Sequence, residues 1–261
     1  MKKIIANLTR RFVKEEWGGV ESAVIETSKE FQKKNYYPII FTSTIFSNIK
    51  IEKIFNIDVQ RFKYSYTRAF LKDKNRDLLD KRGGDLYSIP LFLKLLFQKD
   101  IYIFHLHTIN RVGAIVRLIS KIRKIPYIIT IHGGILDMPK EHLEELSAPN
   151  KGSFNWGKPI DIIIGKNRVF DDSSAIICVS QKEQELMQKK YTNKLVKHIP
   201  NGVDLEKFNS GDKSRFYKDF NIKNDNKIIL SVGSFHPLKN QTLLVDTFLE
   251  LEKIYKNITL V

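Results

Sequence analysis

Short apolar runs alternate with segments of helix length along most of this chain, and this alternation most constrains its fold. The first run, 4–8, is largely apolar, and the segment 20–34 places its apolar residues on one side of a helix. Apolar strands without polar alternation are covered on both faces, which is typical of a parallel sheet wrapped by helices. The sequence therefore predicts a doubly wound α/β domain that extends to about Pro200.

The elements predicted in this first domain follow one another in a regular order. Strands are expected at 4–8, 38–43, 58–64, 101–106, 127–131, 175–179 and 195–199. Helices are expected at 20–34, 89–97, 111–123, 161–170 and 182–190.

A polar stretch at 209–226 interrupts this pattern, with a short helix expected near 216–220. The pattern then restarts with a strand at 228–232, a helix at 241–255 and the onset of a strand at 258–261. The chain is therefore divided into a Rossmann-like domain, 1–205, a hinge, 206–226, and the start of a second Rossmann-like domain, 227–261. Because a βαβ unit of ~30 residues cannot bury its own faces, the second domain is expected to be incomplete in this chain.

The chain is strongly basic, with 44 Lys and Arg against 29 Asp and Glu and a net charge of +15. Between Gln60 and Ile125 there are 15 Lys and Arg but only 5 Asp. One explanation is a lysine-rich composition, and the other is an electropositive face for a phosphate-bearing partner or an anionic surface. The single cysteine, Cys178, excludes an intramolecular disulfide.

Membrane contact is expected at the surface and not through a spanning helix. No apolar run approaches ~20 residues, and the apolar start is too short for a signal peptide, so a cytoplasmic location is expected. Arg117, Lys121 and Lys124 lie on one face of the predicted helix and are the candidates for contact with the inner face of a membrane. An ordinary solvated helix face is the alternative.

Glycine and histidine residues stand where predicted strands end. Gly18 and Gly19 lie between the first strand and the first helix, where backbone N–H groups can meet an anion, although such a pair can also be only a turn. His105 and His107 end one strand and His132 follows another, at the edge where parallel sheets bind ligands. A metal site is disfavoured because no carboxylate or cysteine stands at ligand spacing.

Two further segments carry candidate residues. Asn201 and Asp204 follow the last strand of the first domain, at the expected hinge. Lys239 precedes the helix predicted at 241–255, a good position for a phosphate partner, but the Gly-Lys-Ser/Thr ending of a Walker motif is missing.

Taken in chain order, these motifs resemble the retaining glycosyltransferases of family 4, which have the GT-B fold. The matching stretches are Gly18-Gly19-Val20-Glu21, His105-Leu106-His107, Thr130-Ile131-His132-Gly133, Ser174–Ser180, Ile199–Asp204 and Val232–Asn240.

The resemblance implies roles for single residues. Gly18 and Gly19 would offer N–H groups to the donor diphosphate, and His132 would lie beside the transferred sugar. Lys239 would neutralise charge on the leaving diphosphate, and Ser234 stands where the family usually has a second cation, an arginine. His107, Asn201 and Asp204 would belong to the hinge and cleft, and no metal or cofactor is expected.

The resemblance also implies a function. The protein would transfer a sugar from a nucleotide-sugar donor to a saccharide or lipid-linked acceptor in assembly of a cell-surface polysaccharide or glycolipid. This chain ends before the family's donor-binding carboxylate pair, so residues 1–261 alone are not expected to transfer sugar. The alternative is a non-catalytic module that uses its basic face to bind a membrane or, with less support from its motifs, nucleic acid.

Overall fold

The computed structural model of the chain describes residues 2–134, 136, 138, 140–209, 211–223, 225–233, 235 and 239–261. The chain divides into two compact units, Met1–Gly202 and Val203–Val261. Each unit is described by itself below.

One sheet organises the first unit. Its strands are β1 (Ile4–Leu8), β2 (Tyr37–Ser43), β3 (Ile51–Ile54), β4 (Ile57–Phe62), β6 (Ile101–Leu106), β7 (Tyr127–Ile131), β9 (Ala175–Cys178) and β10 (Val196–His198). Among the described residues these eight strands lie in the order β10-β9-β7-β6-β1-β2-β4-β3. Neighbouring strands are parallel except β3, which is antiparallel to β4. The chain leaves β1 first toward β2 and then toward β6, so the point where the strand order reverses lies between β1 and β6, where such sheets bind ligands.

Helices cover both faces of this sheet, as the apolar strands predict. The helices of the unit are α1 (Gly19–Lys33), α2 (Asp73–Arg82), α3 (Ile89–Phe97), α4 (Asn110–Arg123), α5 (Lys140–Ser147), α6 (Lys158–Ile163) and α7 (Gln181–Lys190). On one face, Val24 and Ile25 of α1 pack in a core cluster with Ile40 of β2. On the other face, α3 and α4 pack on β1 and β6, and each fully buried aliphatic side chain there stabilises the fold by about 1.5–3 kcal/mol.

Two short strands lie outside this sheet in the first unit. They are β5 (Arg68–Ala69) and β8 (Phe154–Asn155), and they pair antiparallel with Ala69 opposite Phe154.

The second unit contains a small parallel ladder and three helices among its described residues. The helices are α8 (Leu205–Asn209), α9 (Lys213–Asp219) and α10 (Gln241–Ile254), and the strands are β11 (Lys227–Ile229) and β12 (Ile258–Leu260). Asn226 Nδ2 donates to Thr259 Oγ1 at 2.7 Å and ties the start of one strand to the other. No helix in the described part of either unit is long and apolar enough to cross a membrane.

The predicted α/β fold with a parallel sheet is confirmed, and the strands at 4–8, 101–106 and 127–131 have the predicted bounds. The helix predicted at 161–170 is wrong. Helix α6 ends at Ile163, and Gly165 takes the left-handed conformation (φ 64°) before a 3₁₀ turn at Lys166–Arg168. A left-handed residue breaks the helical hydrogen bonding, and glycine adopts that conformation without steric cost. Helix α2 and strand β3 were not predicted.

Arg117 was predicted to contact a membrane, and the structure corrects this. Its side chain is buried, its Nε donates to Asp172 Oδ2 at 2.5 Å, and its Nη1 donates to the carbonyl oxygen of Ile164 at 3.0 Å. Lys121 on the same helical face pairs with Asp172 at 2.9 Å, whereas Lys124 is exposed at the end of α4. Helical spacing identified a shared face, but it could not show that a carboxylate from a distant segment neutralises it.

We predict that Asp172→Asn lowers the free energy of unfolding by about 2–4 kcal/mol near neutral pH, because it leaves the buried Arg117 charge unpaired. Burial alone would raise the pKa of Asp172, but hydrogen bonds from Lys121 and Arg117 and their charges hold it below its ordinary value. The stabilisation is therefore present above the ordinary pKa and is lost as the pH falls through the lowered pKa.

The measurement is chemical denaturation of both proteins across the acidic range. Asp171→Asn is the matched control, because Asp171 is exposed. Equal losses in the two variants would contradict the assignment.

Candidate functional site

Three strand ends bring polar side chains together at the reversal point of the sheet. Asn7 near the end of β1 lies opposite His105 of β6 in the strand register. His107 directly follows β6, and His132 directly follows β7. The predicted gathering of the three histidines at one edge is therefore what the structure shows.

A continuous chain of hydrogen bonds links these side chains. Asn7 Nδ2 donates to Ser28 Oγ of helix α1 at 3.3 Å, and Asn7 Oδ1 lies 3.3 Å from His107 Nε2. His107 Nδ1 lies 3.0 Å from His132 Nε2. The ring of His105 lies beside that of His107, with centroids 4.0 Å apart and planes tilted by 41°, and His105 Nε2 lies 2.6 Å from Thr130 Oγ1.

Burial keeps the histidine rings uncharged. It lowers the pKa of His105 to about 3, with the nearby charge of His132 acting in the same direction. Burial, followed by the charges of His105 and His132, holds the pKa of His107 well below its ordinary value. Burial also lowers the pKa of His132. At neutral pH this cluster therefore carries no positive charge of its own.

The hydrogen-bond chain determines which ring nitrogen carries each proton. Because Asn7 donates to Ser28, its amide oxygen faces His107 and accepts from His107 Nε2–H. His107 Nδ1 is then an acceptor, and it receives His132 Nε2–H. His132 Nδ1 keeps an unprotonated lone pair, and this buried atom has no hydrogen-bond partner among the described residues.

This cluster is not arranged as a metal centre. Within the described ranges, no group of three or more His, Cys, Asp or Glu side chains is placed to hold a metal ion. Two of the ring nitrogens that ligation would need are already directed at Asn7 and Thr130. The expectation that the protein needs no metal stays a prediction.

In the glycine loop, the N–H of Gly18 already has a partner within the protein, whereas the backbone of Gly19 is open. The N–H of Gly18 donates to Glu21 Oε2 at 3.1 Å, so it is already occupied, and the buried Glu21 carboxylate lies beside it. A diphosphate would have to displace the Glu21 carboxylate from this N–H, and the predicted role of Gly18 as a donor to a diphosphate stays a prediction. Gly19 begins α1, and a Cβ built on it would meet nothing within 4 Å, so ligand atoms can approach its backbone closely.

The remaining predicted residues lie near the boundary between the units or in the second unit. Asn201 is exposed after β10 in the first unit. Asp204, in the second unit, accepts at Oδ1 from the N–H of Glu206 at 3.1 Å, near the start of α8. Lys239 is exposed just before α10, and Ser234 lies outside the described residues.

Sequence reasoning missed Asn7, Ser28 and Thr130. Asn7 is a polar residue inside the apolar run of β1, and it is only 1% exposed. A buried amide must be hydrogen-bonded, so its presence in such a run was the available signal. Ser28 and Thr130 gave no comparable signal, because small hydroxyl side chains are common in helices and strands.

Comparison with known proteins gives one family. Residues 17–207 match Glycosyltransferase Family 4. The chain is 27% identical over 163 residues to the UDP-Gal:alpha-D-GlcNAc-diphosphoundecaprenol alpha-1,3-galactosyltransferase of Escherichia coli, which covers 60% of this chain and 38% of the relative. It is 26% identical over 145 residues to TuaC of Bacillus subtilis (strain 168), a glycosyltransferase assigned to teichuronic acid biosynthesis, which covers 54% of this chain and 33% of the relative.

Solved structures show the fold. Anabaena HepE in complex with UDP-glucose matches with a TM-score of 0.58 at 16% identity, over 98% of this chain and 59% of that chain. The fold that this chain shares with that structure is the GT-B fold.

The chain spans well under half the length of the curated relatives that it matches.

The buried neutral histidines generate a prediction about pH. Their unfolded forms bind protons below about pH 6.5, whereas the folded forms do not, so folding becomes less favourable as the pH falls from about 6.5 toward 3. We expect a loss of about 1.4 kcal/mol per pH unit for each such histidine.

His105→Gln is expected to remove one of these contributions while keeping a hydrogen-bonding group for Thr130. The measurement is the free energy of unfolding at several pH values between about 7 and 5, the range in which a histidine of the unfolded chain binds its proton. His198→Gln removes an exposed imidazole of β10 and is the matched control. An unchanged slope in the His105 variant would contradict the neutral assignment.

The proton positions generate a second prediction. Asn7→Asp places a carboxylate at His107 Nε2, which favours a doubly protonated His107. His107 Nδ1–H would then donate to His132 Nε2, and the proton of His132 would move to Nδ1. Nitrogen NMR of ¹⁵N-histidine-labelled protein should show Nε2–H on His132 in the parent chain and Nδ1–H in the variant. The same tautomer in both proteins would contradict the hydrogen-bond directions.

Proposed function

The chain belongs to glycosyltransferase family 4, and on that premise we propose that the protein transfers a sugar from a nucleotide-sugar donor to a saccharide or lipid-linked acceptor. The family match over residues 17–207 is the observation that carries this proposal. Both curated relatives are named as glycosyltransferases, one for a diphosphoundecaprenol-linked acceptor and one in teichuronic acid biosynthesis. On the basis of these two names, we propose that the product of this protein belongs to a cell-surface glycan.

The donor is proposed to be a nucleoside diphosphate sugar, since the HepE structure holds UDP-glucose. Lys239 is exposed beside the start of α10, where its ammonium and the helix N-terminus both favour phosphate. Its proposed role is to neutralise the charge that develops on the leaving diphosphate. Gly19 is proposed to contribute its backbone N–H at the start of α1.

His132 is proposed to position the transferred sugar. It follows β7 and precedes Gly133 (φ 122°) and Gly134 (φ 65°), two residues with positive φ. Because burial lowers its pKa, the ring is uncharged at neutral pH and does not serve as a proton donor to the leaving group. Asn7 and His107 act through it as positioning residues.

The proposed reaction retains the configuration of the sugar carbon. The bond from that carbon to the diphosphate oxygen breaks, the acceptor hydroxyl oxygen forms the new bond to that carbon, and the hydroxyl proton passes to an oxygen of the departing diphosphate. The charge is carried by basic side chains and helix N-termini, so the proposal includes no resident metal or cofactor. We also propose that the protein is located in the cytoplasm.

The test is transfer of labelled sugar from a panel of nucleotide sugars to a diphosphoundecaprenol-linked saccharide. Residues 1–261 are assayed beside the same chain extended by a complete donor domain of a family member, since the chain alone is proposed to be inactive. In the extended protein, His132→Ala should lower kcat about 100-fold, and Lys239→Ala should cost about 2–4 kcal/mol of transition-state stabilisation.

Two exposed residues provide controls, His198→Ala in the first unit and Lys256→Ala in the second. The anomeric configuration of the product, read by NMR, tests retention. Absence of transfer from every donor, or equal turnover of the site and control variants, would overturn the proposal.

A further inference from the structure

The strands β5 and β8, the residues that follow them and helix α6 expose five large apolar side chains. We call this the β5–β8 surface. Its exposed apolar residues are Phe70 (85%), Phe154 (65%), Trp156 (47%), Ile162 (80%) and Ile163 (77%). Phe70 follows Ala69, which pairs with Phe154 across the two strands, and the isoleucines end the helix that begins at Lys158. Contiguous exposed apolar groups mark interaction sites more often than scattered ones do.

Two cations lie within this apolar surface. Arg68 and Lys158 line a cleft of about 590 Å³ together with Phe154 and Trp156. Arg68 Nη1 donates to Ser153 Oγ at 3.1 Å, and in the described part of the chain neither cation has a carboxylate within ion-pair distance. Burial and the nearby charge of Arg111 lower the pKa of Arg68, whereas the charge of Asp85 acts in the opposite direction. An anion in the cleft would add to the effect of Asp85 and favour the charged guanidinium.

The backbone of Phe70 is a further indication that the β5–β8 surface binds a partner. Its backbone is left-handed, with φ 62°, a conformation that is rare for a bulky residue. Strain of this kind persists where the surroundings impose it, and it is concentrated at functional sites. Here the strained residue holds a phenyl ring almost fully in solvent, where it contributes no core packing.

We propose that the β5–β8 surface binds an anionic lipid bilayer. The aromatic and isoleucine side chains would enter the boundary between headgroups and acyl chains, and a lipid phosphate would lie in the cleft between Arg68 and Lys158. Trp and Phe beside unpaired cations suit this boundary, whereas exposed isoleucines offer no stacking surface to nucleic acid bases. The inference goes beyond the proposed function, because it holds for any sugar or acceptor.

This surface differs from the face predicted at Lys121 and Lys124. Arg111 in the first turn of α4 donates to Asn155 Oδ1 at 3.1 Å, which places the β5–β8 surface near the start of α4. Lys124 stands at the other end of this helix, roughly 20 Å away along its axis. Phe97 lies at the same end of the unit as Lys124, because it ends α3 just before β6 begins.

Co-sedimentation with vesicles tests the proposal. Residues 1–261 should bind vesicles of phosphatidylcholine with phosphatidylglycerol and not vesicles of phosphatidylcholine alone. Phe154→Ser and Lys158→Glu should each weaken binding about tenfold or more. Phe97→Ser and Lys124→Glu make the same changes at the opposite end of α4 and should leave binding within about twofold.

A second measurement reads insertion directly. The chain has two tryptophans, Trp17 and Trp156, so Trp17→Phe leaves Trp156 as the reporter. Its emission should shift to shorter wavelength and be quenched by brominated acyl chains when anionic vesicles are added. No shift, an equal shift with single-stranded RNA, or a loss of binding confined to Lys124→Glu would each overturn the proposal.

Discussion

The burial of strand β1 on both faces is the constraint on which the rest of this structure depends. Because β1 lies between β2 and β6 and is covered by helices, each polar group in it must find a partner inside the protein. Asn7 meets this requirement with Ser28 on one side and His107 on the other. One buried amide thus connects helix α1 to the ends of β6 and β7, where the histidines gather. The side chains of the site are therefore held in position by the packed core on which they stand.

Much of the fold could be predicted because the apolar pattern is a local property of the sequence. The strands at 4–8 and 127–131 follow from it directly, and so does the edge at which His107 and His132 meet. What could not be predicted depends on partners far away along the chain. Asp172 neutralises the helical face of Arg117, and Glu21 occupies the N–H of Gly18. Neither contact has a signature in spacing alone, since both are set by how the elements pack.

Net charge overstates how much positive surface the protein offers. The basic stretch between Gln60 and Ile125 includes Arg61, Arg111 and Arg117, which are all buried. Each of them is paired, with Glu52, Asp161 and Asp172 respectively. These pairs hold segments together and attract no partner. Arg68 and Lys158, in contrast, line an open cleft beside aromatic rings, where a phosphate can reach them.

Helix α1 links the two ends of the candidate site. At its start, Glu21 holds the N–H of Gly18, and one face further along carries Ser28, which fixes the amide of Asn7. A diphosphate that approaches the N-terminus of α1 must compete with the Glu21 carboxylate, because both are anions drawn to the same N–H groups. The positive charge that favours the diphosphate must therefore come from elsewhere, since the neighbouring histidines are uncharged. In the proposed transfer, the electrostatic work would therefore fall to cations such as Lys239, and His132 would fix geometry.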